Sequence, residues 1–197
     1  KNLGIPSVFF PYHPIRRILD RLVRIREIRK TSPKQGIVML GSGLNPQNLR
    51  SIEKVIRYWG ENLVHRRLGK LAVVGYQTER HLEPLRFRES VQLLGTLDDD
   101  ALDQLLAGAR ACLCYQESGA GALTRIGELL LAGVPVLANP HAARSYHHRP
   151  GVLEFPDLDA LLDAVDKIPG ALEGLPSPER PDASPLLIAI EKVLSGT

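Results

Sequence analysis

A run of small residues, Ser118-Gly119-Ala120-Gly121-Ala122, is the part of the sequence best suited to holding an anion. The backbone N–H groups of such a loop can approach a phosphate closely, and the positive end of the following helix dipole adds to the attraction. Glycines that merely close a tight turn between a strand and a helix are the simpler alternative. The combination of loop and helix favours a diphosphate site.

Arg125 and Glu128 follow the run and are three residues apart, which places them on one side of the helix that the loop opens. A carboxylate there can accept two hydrogen bonds from a ribose diol, and a guanidinium one turn earlier can bind phosphate oxygens. A surface ion pair within the helix is the alternative. The apolar residues 129–132 argue against it, because they predict a largely buried helix.

Short apolar runs without polar alternation are separated by helical patterns along most of the chain. The predicted strands are residues 36–40, 71–74, 91–94, 111–115, 135–138 and 151–155, and the predicted helices are residues 46–58, 78–85, 98–109, 123–132, 157–168 and 185–194. This order predicts an α/β fold, a doubly wound parallel sheet of about six strands with helices on both faces. Ligands bind beyond the carboxyl ends of such strands, where further glycines stand at Gly41, Gly43, Gly75 and Gly95.

The positive charge of the chain is concentrated at its start. The 197 residues carry a net charge of +3, but the first 34 hold nine Lys and Arg against Asp20 and Glu27. Residues 15–30 have apolar side chains at helical spacing and arginines on the other face. We favour a packed helix with a solvated arginine face; binding to an anionic membrane or to nucleic acid are the alternatives. No aromatic residue is interleaved for stacking on bases, so no nucleic acid partner is expected.

Two classes of protein are excluded or disfavoured by simple counts. No stretch of about 18 apolar residues exists, which excludes a spanning helix. Cys112 and Cys114 alternate on one face of a predicted strand, where a disulfide would strain the backbone and no second Cys pair completes a metal site. We expect buried, reduced thiols of a cytosolic protein.

Residues 119–137 (GAGALTRIGELLLAGVPVL) resemble the signature of the C-terminal domain of GT-B glycosyltransferases of the group 1, or family 4, type. In that signature a Gly-x-Gly loop precedes a basic residue, an apolar residue and a Glu, and a small-residue helix and Gly-x-Pro-Val follow. Residues 91–116 are similar to the preceding strand, acidic helix start and next strand of the same family. The match extends in order and spacing from about residue 36 to 168, and it implies a Rossmann-like domain, one half of a GT-B fold.

The resemblance implies which residues bind the donor. Glu128 would bind the ribose, Arg125 a phosphate, residues 119–124 the diphosphate, residues 41–43 would lie near the phosphates, and residues 95–97 would form the rim for the nucleobase. The implied donor-binding residues are Glu128, Arg125, Thr124, Gly119, Ala120, Gly121, Ala122, Gly43, Ser42, Gly95, Thr96 and Leu97.

The sequence also departs from the family. Many relatives carry an Arg and a Lys that neutralise the leaving diphosphate, at positions held here by Ser42 and Gln47. The first Glu of the Glu-x7-Glu pair falls on Ala120. Glu117 stands three residues earlier and is a weak candidate for a catalytic residue; no other is assigned.

By resemblance, the chain would be part of a hexosyltransferase that transfers a sugar from a nucleotide diphosphate sugar, with retention of configuration and with no metal or other cofactor. The acceptor would be bound by a missing N-terminal domain. Such enzymes make polysaccharides or glycoconjugates, in the cytoplasm or at the inner face of a membrane. A sugar-nucleotide epimerase of the same fold, and a non-catalytic module that binds partners or anionic surfaces through the basic helix, are the alternatives.

Three segments are expected: residues 1–34 as an interdomain hinge with the basic helix, 35–168 as the nucleotide-sugar-binding domain, and 169–197 as a proline-rich crossing with a final helix. The chain begins at Lys1 and its only Met is Met39, so we expect a longer parent protein, with residues 7–10 forming a strand of the preceding domain. Residues 141–149, a polar loop with three His, would contact the donor sugar or a metal. Because no carboxylate is near, a surface loop is favoured.

Overall fold

Six parallel strands form one sheet in the order β3-β2-β1-β4-β5-β6. They belong to a computed structural model that describes residues 12–82, 89–119, 122–178 and 184–195. The strands are β1 (Gln35–Leu40), β2 (Leu71–Val74), β3 (Val91–Gly95), β4 (Ala109–Cys114), β5 (Val136–Ala138) and β6 (Val152–Glu154). The predicted α/β fold with a parallel sheet of about six strands is confirmed. The strand predicted at residues 7–10 lies outside the described residues.

The helices fill the connections between the strands. They are α1 (Arg16–Thr31), α2 (Pro46–Glu61), α3 (His65–Leu68), α4 (Thr78–Leu82), α5 (Asp99–Gly108), α6 (Thr124–Leu131), α7 (Pro140–Ala143), α8 (Leu161–Asp166), α9 (Ile168–Ala171) and α10 (Ser184–Ser195). Within the described part of the chain, no helix combines the length and the apolar character needed to cross a membrane.

One predicted helix, at residues 157–168, is divided in the structure. Asp157 accepts a hydrogen bond from the backbone N–H of Ala160 at 3.1 Å and caps a 3-10 turn (Leu158–Ala160) ahead of α8. Pro169 has no N–H to continue the α8 ladder and instead sits in the first turn of α9. The apolar periodicity was right, but local hydrogen bonding split the element.

The sheet is buried on both faces because its strands alternate apolar side chains between two layers. Ile37 and Met39 of β1 point into a core shared with α2 and α8, where Trp59 is fully buried. Val38 points to the opposite core, which α1, α5 and α6 cover. Cys112 and Cys114 lie in this second core as buried, unbridged thiols, as predicted.

Strand β1 lies in the middle of the sheet, with β2 on one side and β4 on the other. The chain runs from β1 outward to β2 and β3, and then crosses back to β4 and continues outward the other way. The direction therefore reverses between β1 and β4, and their loops diverge at the carboxyl edge. Such a switch point opens the crevice in which α/β sheets bind ligands.

Helix α1 packs against α5 and α6, and the expectation of a solvated arginine face is wrong for its buried end. Arg29 is only 6% exposed. Its guanidinium donates to five backbone carbonyl oxygens: Gly133 at 2.7 Å, Leu106 and Ala107 at 3.1 Å, Arg110 at 3.4 Å, and Ala109. Burial lowers the pKa of Arg29 to about 10. These hydrogen bonds attach α1 to the end of α5, the start of β4 and the turn after α6.

Two further arginines of α1 bind one buried carboxylate. Asp103 of α5 is buried and accepts hydrogen bonds from Arg21 at 2.6 Å and from Arg24 at 2.8 Å. Arg21 also binds Asp99 at 2.6 Å. A buried carboxylate needs such partners to stay charged. The acidic start of α5 and the basic α1 are thus complementary surfaces within the chain.

Candidate functional site

Of the predicted donor-binding residues, Arg125 of α6 lines the crevice between β1 and β4. The crevice is also lined by Leu40 at the end of β1, Asn48 of α2, Cys114 at the end of β4 and Gln116 after it. Helix α2 begins beside it because Asn45 accepts hydrogen bonds from the N–H groups of Gln47 at 2.9 Å and Asn48 at 3.2 Å. This cap, with Pro46 in the first turn, fixes the position of Gln47.

Gly119, in the loop after β4, lies beside residues of α2 and α7, the helices that follow β1 and β5. A Cβ atom at Gly119 would lie 3.2 Å from Gln47 Oε1 and 3.9 Å from Gln116 Oε1. The Nε2 atom of His141 in α7 lies 3.2 Å from the carbonyl oxygen of Gly119. The φ angle of Gly119 is +123°, a conformation that other residues rarely adopt. The glycine is therefore required both by its backbone and by its close neighbours.

The loop between Gly119 and α6 is described only in part, since Ala120 and Gly121 lie outside the described residues. Ala122 and Thr124 are exposed, and Thr124 is the first residue of α6. The capping position holds Leu123, whose side chain makes no capping hydrogen bond. The N–H groups of Thr124 and Ile126 donate to the carbonyl oxygens of Ala122 at 3.2 Å and Leu123 at 2.9 Å, so some donors of this helix start are used within the chain.

Arg125 lines the crevice, and its guanidinium is hydrogen-bonded to the protein backbone. Its Nη1 donates to the carbonyl oxygen of Leu40, the last residue of β1. The guanidinium therefore spans the switch point between β1 and β4. The predicted phosphate contact stays a prediction, and a phosphate would have to bind the remaining donors of this side chain.

Glu128 accepts a 2.7 Å hydrogen bond from the hydroxyl of Tyr12, which precedes α1. This hydrogen bond is the main reason that the pKa of Tyr12 is raised to about 12. A second tyrosine, Tyr146, follows α7 and packs against this turn of α6, with its hydroxyl 3.2 Å from where a Cβ of Gly127 would be. Glu128 is partly buried, and its hydrogen bond to Tyr12 is exposed to solvent.

The glycine-rich turns after β1, β2 and β3 are used largely for close backbone approach. A Cβ at Gly75 would overlap the carbonyl oxygen of Gly41, and the Gly43 N–H donates to the carbonyl oxygen of Tyr76 at 2.8 Å. Ser42 accepts a 3.2 Å hydrogen bond from the N–H of Leu44. These turns hold β1 and β2 together, which is the structural alternative for these glycines.

The predicted nucleobase rim follows β3. Gly95 ends the strand beside the carboxylate of Glu79, and its carbonyl oxygen accepts a 2.8 Å hydrogen bond from the Gly75 N–H. Thr96 is exposed, whereas Leu97 is partly buried against the second core. Of the two side chains, Thr96 is the one open to solvent.

Glu117, the weak candidate for a catalytic group, is engaged in an ion pair. It accepts hydrogen bonds from Lys54 of α2 and from the hydroxyl of Tyr115 at 3.2 Å. The Lys54 contact lowers the pKa of Glu117 and raises that of Lys54. Lys54 Nζ also lies 5.7 Å from the centre of the Tyr115 ring. The contact stabilises the ionised carboxylate, which disfavours a role as a proton donor.

Two residues of the site were missed by sequence reasoning. Asn139, after β5, donates to the carbonyl oxygen of Gln116 at 2.6 Å and accepts from the Gln116 N–H at 2.9 Å, which joins the loops after β4 and β5. An Asn before a Pro at a strand end is a helix-capping signal and could have identified it. The contact between Tyr12 and Glu128 spans 116 residues, and no local pattern could have shown it.

The polar loop 141–149 is tied down by a carboxylate that was not expected there. Glu154 of β6 lies 2.9 Å from His147 Nδ1 and accepts from the backbone N–H of His148 at 3.3 Å. Strand β6 thus brings one carboxylate back to this loop, a contact that the sequence pattern did not indicate. Within the described ranges, no three His, Cys, Asp or Glu side chains are grouped to hold a metal ion.

No family model matches the sequence, and no curated protein matches it either. Solved structures do match. AviGT4, a glycosyltransferase involved in avilamycin A biosynthesis, has a TM-score of 0.62 at 15% identity, covering 98% of this chain and 59% of its own. The C-terminal domain of LpcC, a glycosyl transferase group 1 family protein from Francisella tularensis, has a TM-score of 0.50 at 11% identity, covering 83% and 89%.

A third structure is Anabaena Alr3699/HepE in complex with UDP, with a TM-score of 0.51 at 14% identity, covering 94% of this chain and 54% of that one. The chain thus has the fold of the C-terminal domain of a GT-B glycosyltransferase, as its motif predicted. It spans 59% of the length of AviGT4 and 54% of that of HepE.

Proposed function

We propose that the chain is the donor-binding part of a glycosyltransferase and that it binds a nucleotide diphosphate sugar in the crevice between β1 and β4. One observation supports this most directly: the segments that follow β1, β4 and β5 come together at Gly119, at the switch point of the sheet. Glu128 follows on the helix that this loop opens. The spacing suits a diphosphate at the loop and a ribose at the carboxylate.

In this proposal the ribose hydroxyls bind Glu128 and the diphosphate lies against residues 119–124 and the start of α6. Tyr12 occupies one acceptor site on Oε1 of Glu128, so a ribose diol would use the remaining acceptor sites of the carboxylate and compete with the tyrosine hydroxyl for Oε1. The nucleobase would rest against residues 95–97. Arg125, which crosses the crevice, would give its free donors to a phosphate.

The proposed reaction breaks the bond between the anomeric carbon of a hexose and the donor phosphate oxygen, and it joins that carbon, with retention, to a nucleophilic atom of the acceptor. The acceptor proton leaves with the diphosphate. The acceptor would be held by a domain outside this chain. No metal cofactor is proposed, so the negative charge that develops on the leaving diphosphate has to be stabilised by the helix start and by arginines. Ser42 and Gln47 cannot supply positive charge.

We place the reaction in the cytoplasm. Peripheral association with an anionic membrane would depend on Arg16 and Arg17, which are exposed at the start of α1, because Arg21, Arg24 and Arg29 are bonded within the chain. The same internal bonds weaken the alternative of a non-catalytic module that binds partners through this helix. No contact among the described residues favours an epimerase.

The proposal is tested by calorimetric titration of the chain with UDP, GDP and ADP. The best of them should bind, and Glu128→Ala should weaken it by about tenfold or more, the value of a charged hydrogen-bonded contact. The matched control is Glu61→Ala, which removes an exposed carboxylate at the end of α2. The control should leave the affinity unchanged.

The ribose contact has its own test, a cycle with the 2′-deoxy analogue of the nucleotide that binds. The analogue should bind the unmodified chain more weakly, and Glu128→Ala should remove most of that difference. If no nucleotide binds the chain, or if Glu128→Ala leaves the affinity intact, the proposed site is wrong. If the 2′-deoxy analogue binds both proteins more weakly by the same factor, the ribose does not contact Glu128.

A further inference from the structure

The proposed site lacks positive charge where the diphosphate would lie. Ser42 and Gln47 are neutral, and the structure puts Gln47 directly beside Gly119. Arg125 gives one donor to Leu40. A leaving diphosphate carries several negative charges, and preorganised positive groups are a main source of its stabilisation. A further cation at the same loop would supply that stabilisation.

Arg144, which ends α7, is a half-buried guanidinium whose charge is not neutralised. Its Nη1 donates to Gln116 Oε1 at 3.1 Å and to the carbonyl oxygen of His141. Both acceptors are neutral, and none of the ion pairs among the described residues includes Arg144. Its Nε is buried and has no hydrogen-bond partner. A buried donor without a hydrogen-bond partner is uncommon in folded proteins and calls for a structural or functional explanation.

The two partners of Arg144 are also the neighbours of Gly119. Gln116 Oε1 would lie 3.9 Å from a Cβ of Gly119, and the His141 ring contacts the Gly119 carbonyl oxygen at 3.2 Å. The guanidinium is thus one side chain away from the loop proposed to hold the diphosphate. The pairing of Asn139 with Gln116 fixes this geometry from β5.

We propose that Arg144 binds a phosphate of the nucleoside diphosphate and supplies the charge that Ser42 and Gln47 do not; this rests on the proposed function. A phosphate oxygen replaces Gln116 Oε1 as the acceptor of Nη1. That exchange is favourable because a hydrogen bond between two charged groups is stronger than one to a neutral amide. Arg144 is a binding residue for the diphosphate, and it does not contact the nucleoside.

The test compares Arg144→Gln with Arg149→Gln, which removes the same charge from an exposed residue of the same loop. Each protein is titrated with the nucleoside diphosphate that the unmodified chain binds, and with the matching nucleoside. Arg144→Gln should weaken the binding of the diphosphate about ten- to a hundredfold and leave the affinity for the nucleoside unchanged. Arg149→Gln should change neither. Arg144→Lys, which keeps the charge, should retain a preference for the diphosphate.

The outcomes separate the two proposals. If no nucleotide binds the unmodified chain, the proposed function fails, and the role of Arg144 fails with it. If the diphosphate binds but Arg144→Gln does not weaken it, or weakens the nucleoside equally, only the role of Arg144 is overturned. Thermal unfolding of each variant identifies loss of fold. Should Arg144→Gln not fold, an Arg144→Lys protein that treats nucleoside and diphosphate alike also overturns the role.

Discussion

Helix α1 and the crevice between β1 and β4 both contain arginines that are at least half-buried, but these arginines have different partners. In α1, Arg29 is surrounded by five carbonyl oxygens, and Arg21 binds the buried Asp103. Beside the crevice, Arg125 makes one hydrogen bond and Arg144 makes two among the described residues, and the buried Nε of Arg144 has no partner. Unused bonding capacity, rather than local density of positive charge, distinguishes an arginine that can bind an anion from one that holds the fold.

The largest effect is expected for Arg29→Met, which should lower the free energy of unfolding by about 3 kcal/mol or more. Methionine fills much of the space but leaves several buried carbonyls without a donor, and each such group costs about 1–3 kcal/mol. Urea unfolding measures the change. Arg16→Met, at a side chain that is 83% exposed, is the control and should be nearly neutral.

The folded fraction of Arg29→Met should bind nucleotide with unchanged affinity. If this variant keeps full stability but loses nucleotide affinity, the division between a structural helix and a binding crevice would be wrong.

Gly119→Ala should show the opposite pattern, with a loss of affinity and a small loss of stability. A side chain at φ +123° is strained, and its Cβ would lie 3.2 Å from the flexible end of Gln47, which has to shift by about a few tenths of an ångström. We expect the variant to bind the nucleoside diphosphate about tenfold more weakly by calorimetry, which corresponds to about 1.4 kcal/mol. Gly170→Ala is the matched control, since nothing lies within 4 Å of a Cβ at Gly170. Equal affinities of the two variants would contradict a diphosphate at this loop.

Tyr12→Phe tests the contact that links the segment before α1 to the crevice. Without the hydroxyl, the ribose no longer competes with Tyr12 for Oε1 of Glu128. The affinity for nucleotide should rise a few-fold, because the hydrogen bond that is removed is exposed and contributes about 1 kcal/mol. Tyr76→Phe, at an exposed tyrosine, should have no effect. A weaker affinity in Tyr12→Phe would show that the hydroxyl orients Glu128 and does not compete with the ribose.

The same contact can be followed by ultraviolet titration of the tyrosines. One tyrosine should ionise near pH 12 in the unmodified chain, because the Glu128 hydrogen bond raises the pKa of Tyr12 from 10. In Glu128→Gln that ionisation should move toward pH 10. An unchanged titration curve would place Tyr12 away from Glu128 in solution.

The smallest effect is expected for Lys54→Ala, which removes the partner of Glu117. Both side chains are about half exposed, so solvent screens the pair and the loss should stay below about 1 kcal/mol at neutral pH. The pKa of Glu117 is lowered from 4.5, so the stabilisation is present above pH 4.5 and is lost as the pH falls through the lowered value. Urea unfolding at several pH values, with Lys70→Ala as the control, measures it. A difference that grows in acid would contradict the pair.

The sequence by itself determined the fold and the edge of the sheet where a site would lie. Apolar runs without alternation can be satisfied only by a sheet covered on both faces, and the six predicted strands each match an observed one closely. Glycines after the strands and the spacing of Arg125 and Glu128 indicated the crevice. These are local signals, because they depend on neighbours within one helix turn or one strand.

Only the tertiary structure decided what each charged side chain does. Arg21, Arg24 and Arg29 of α1 looked solvated in the sequence. They are structural because α5 brings Asp103 and the start of β4 brings carbonyl oxygens. Arg144 became a candidate phosphate ligand because β5 and β4 end side by side. Whether every donor of a side chain has a partner depends on segments that are far apart in the chain and packed together. No periodicity or motif can therefore predict it.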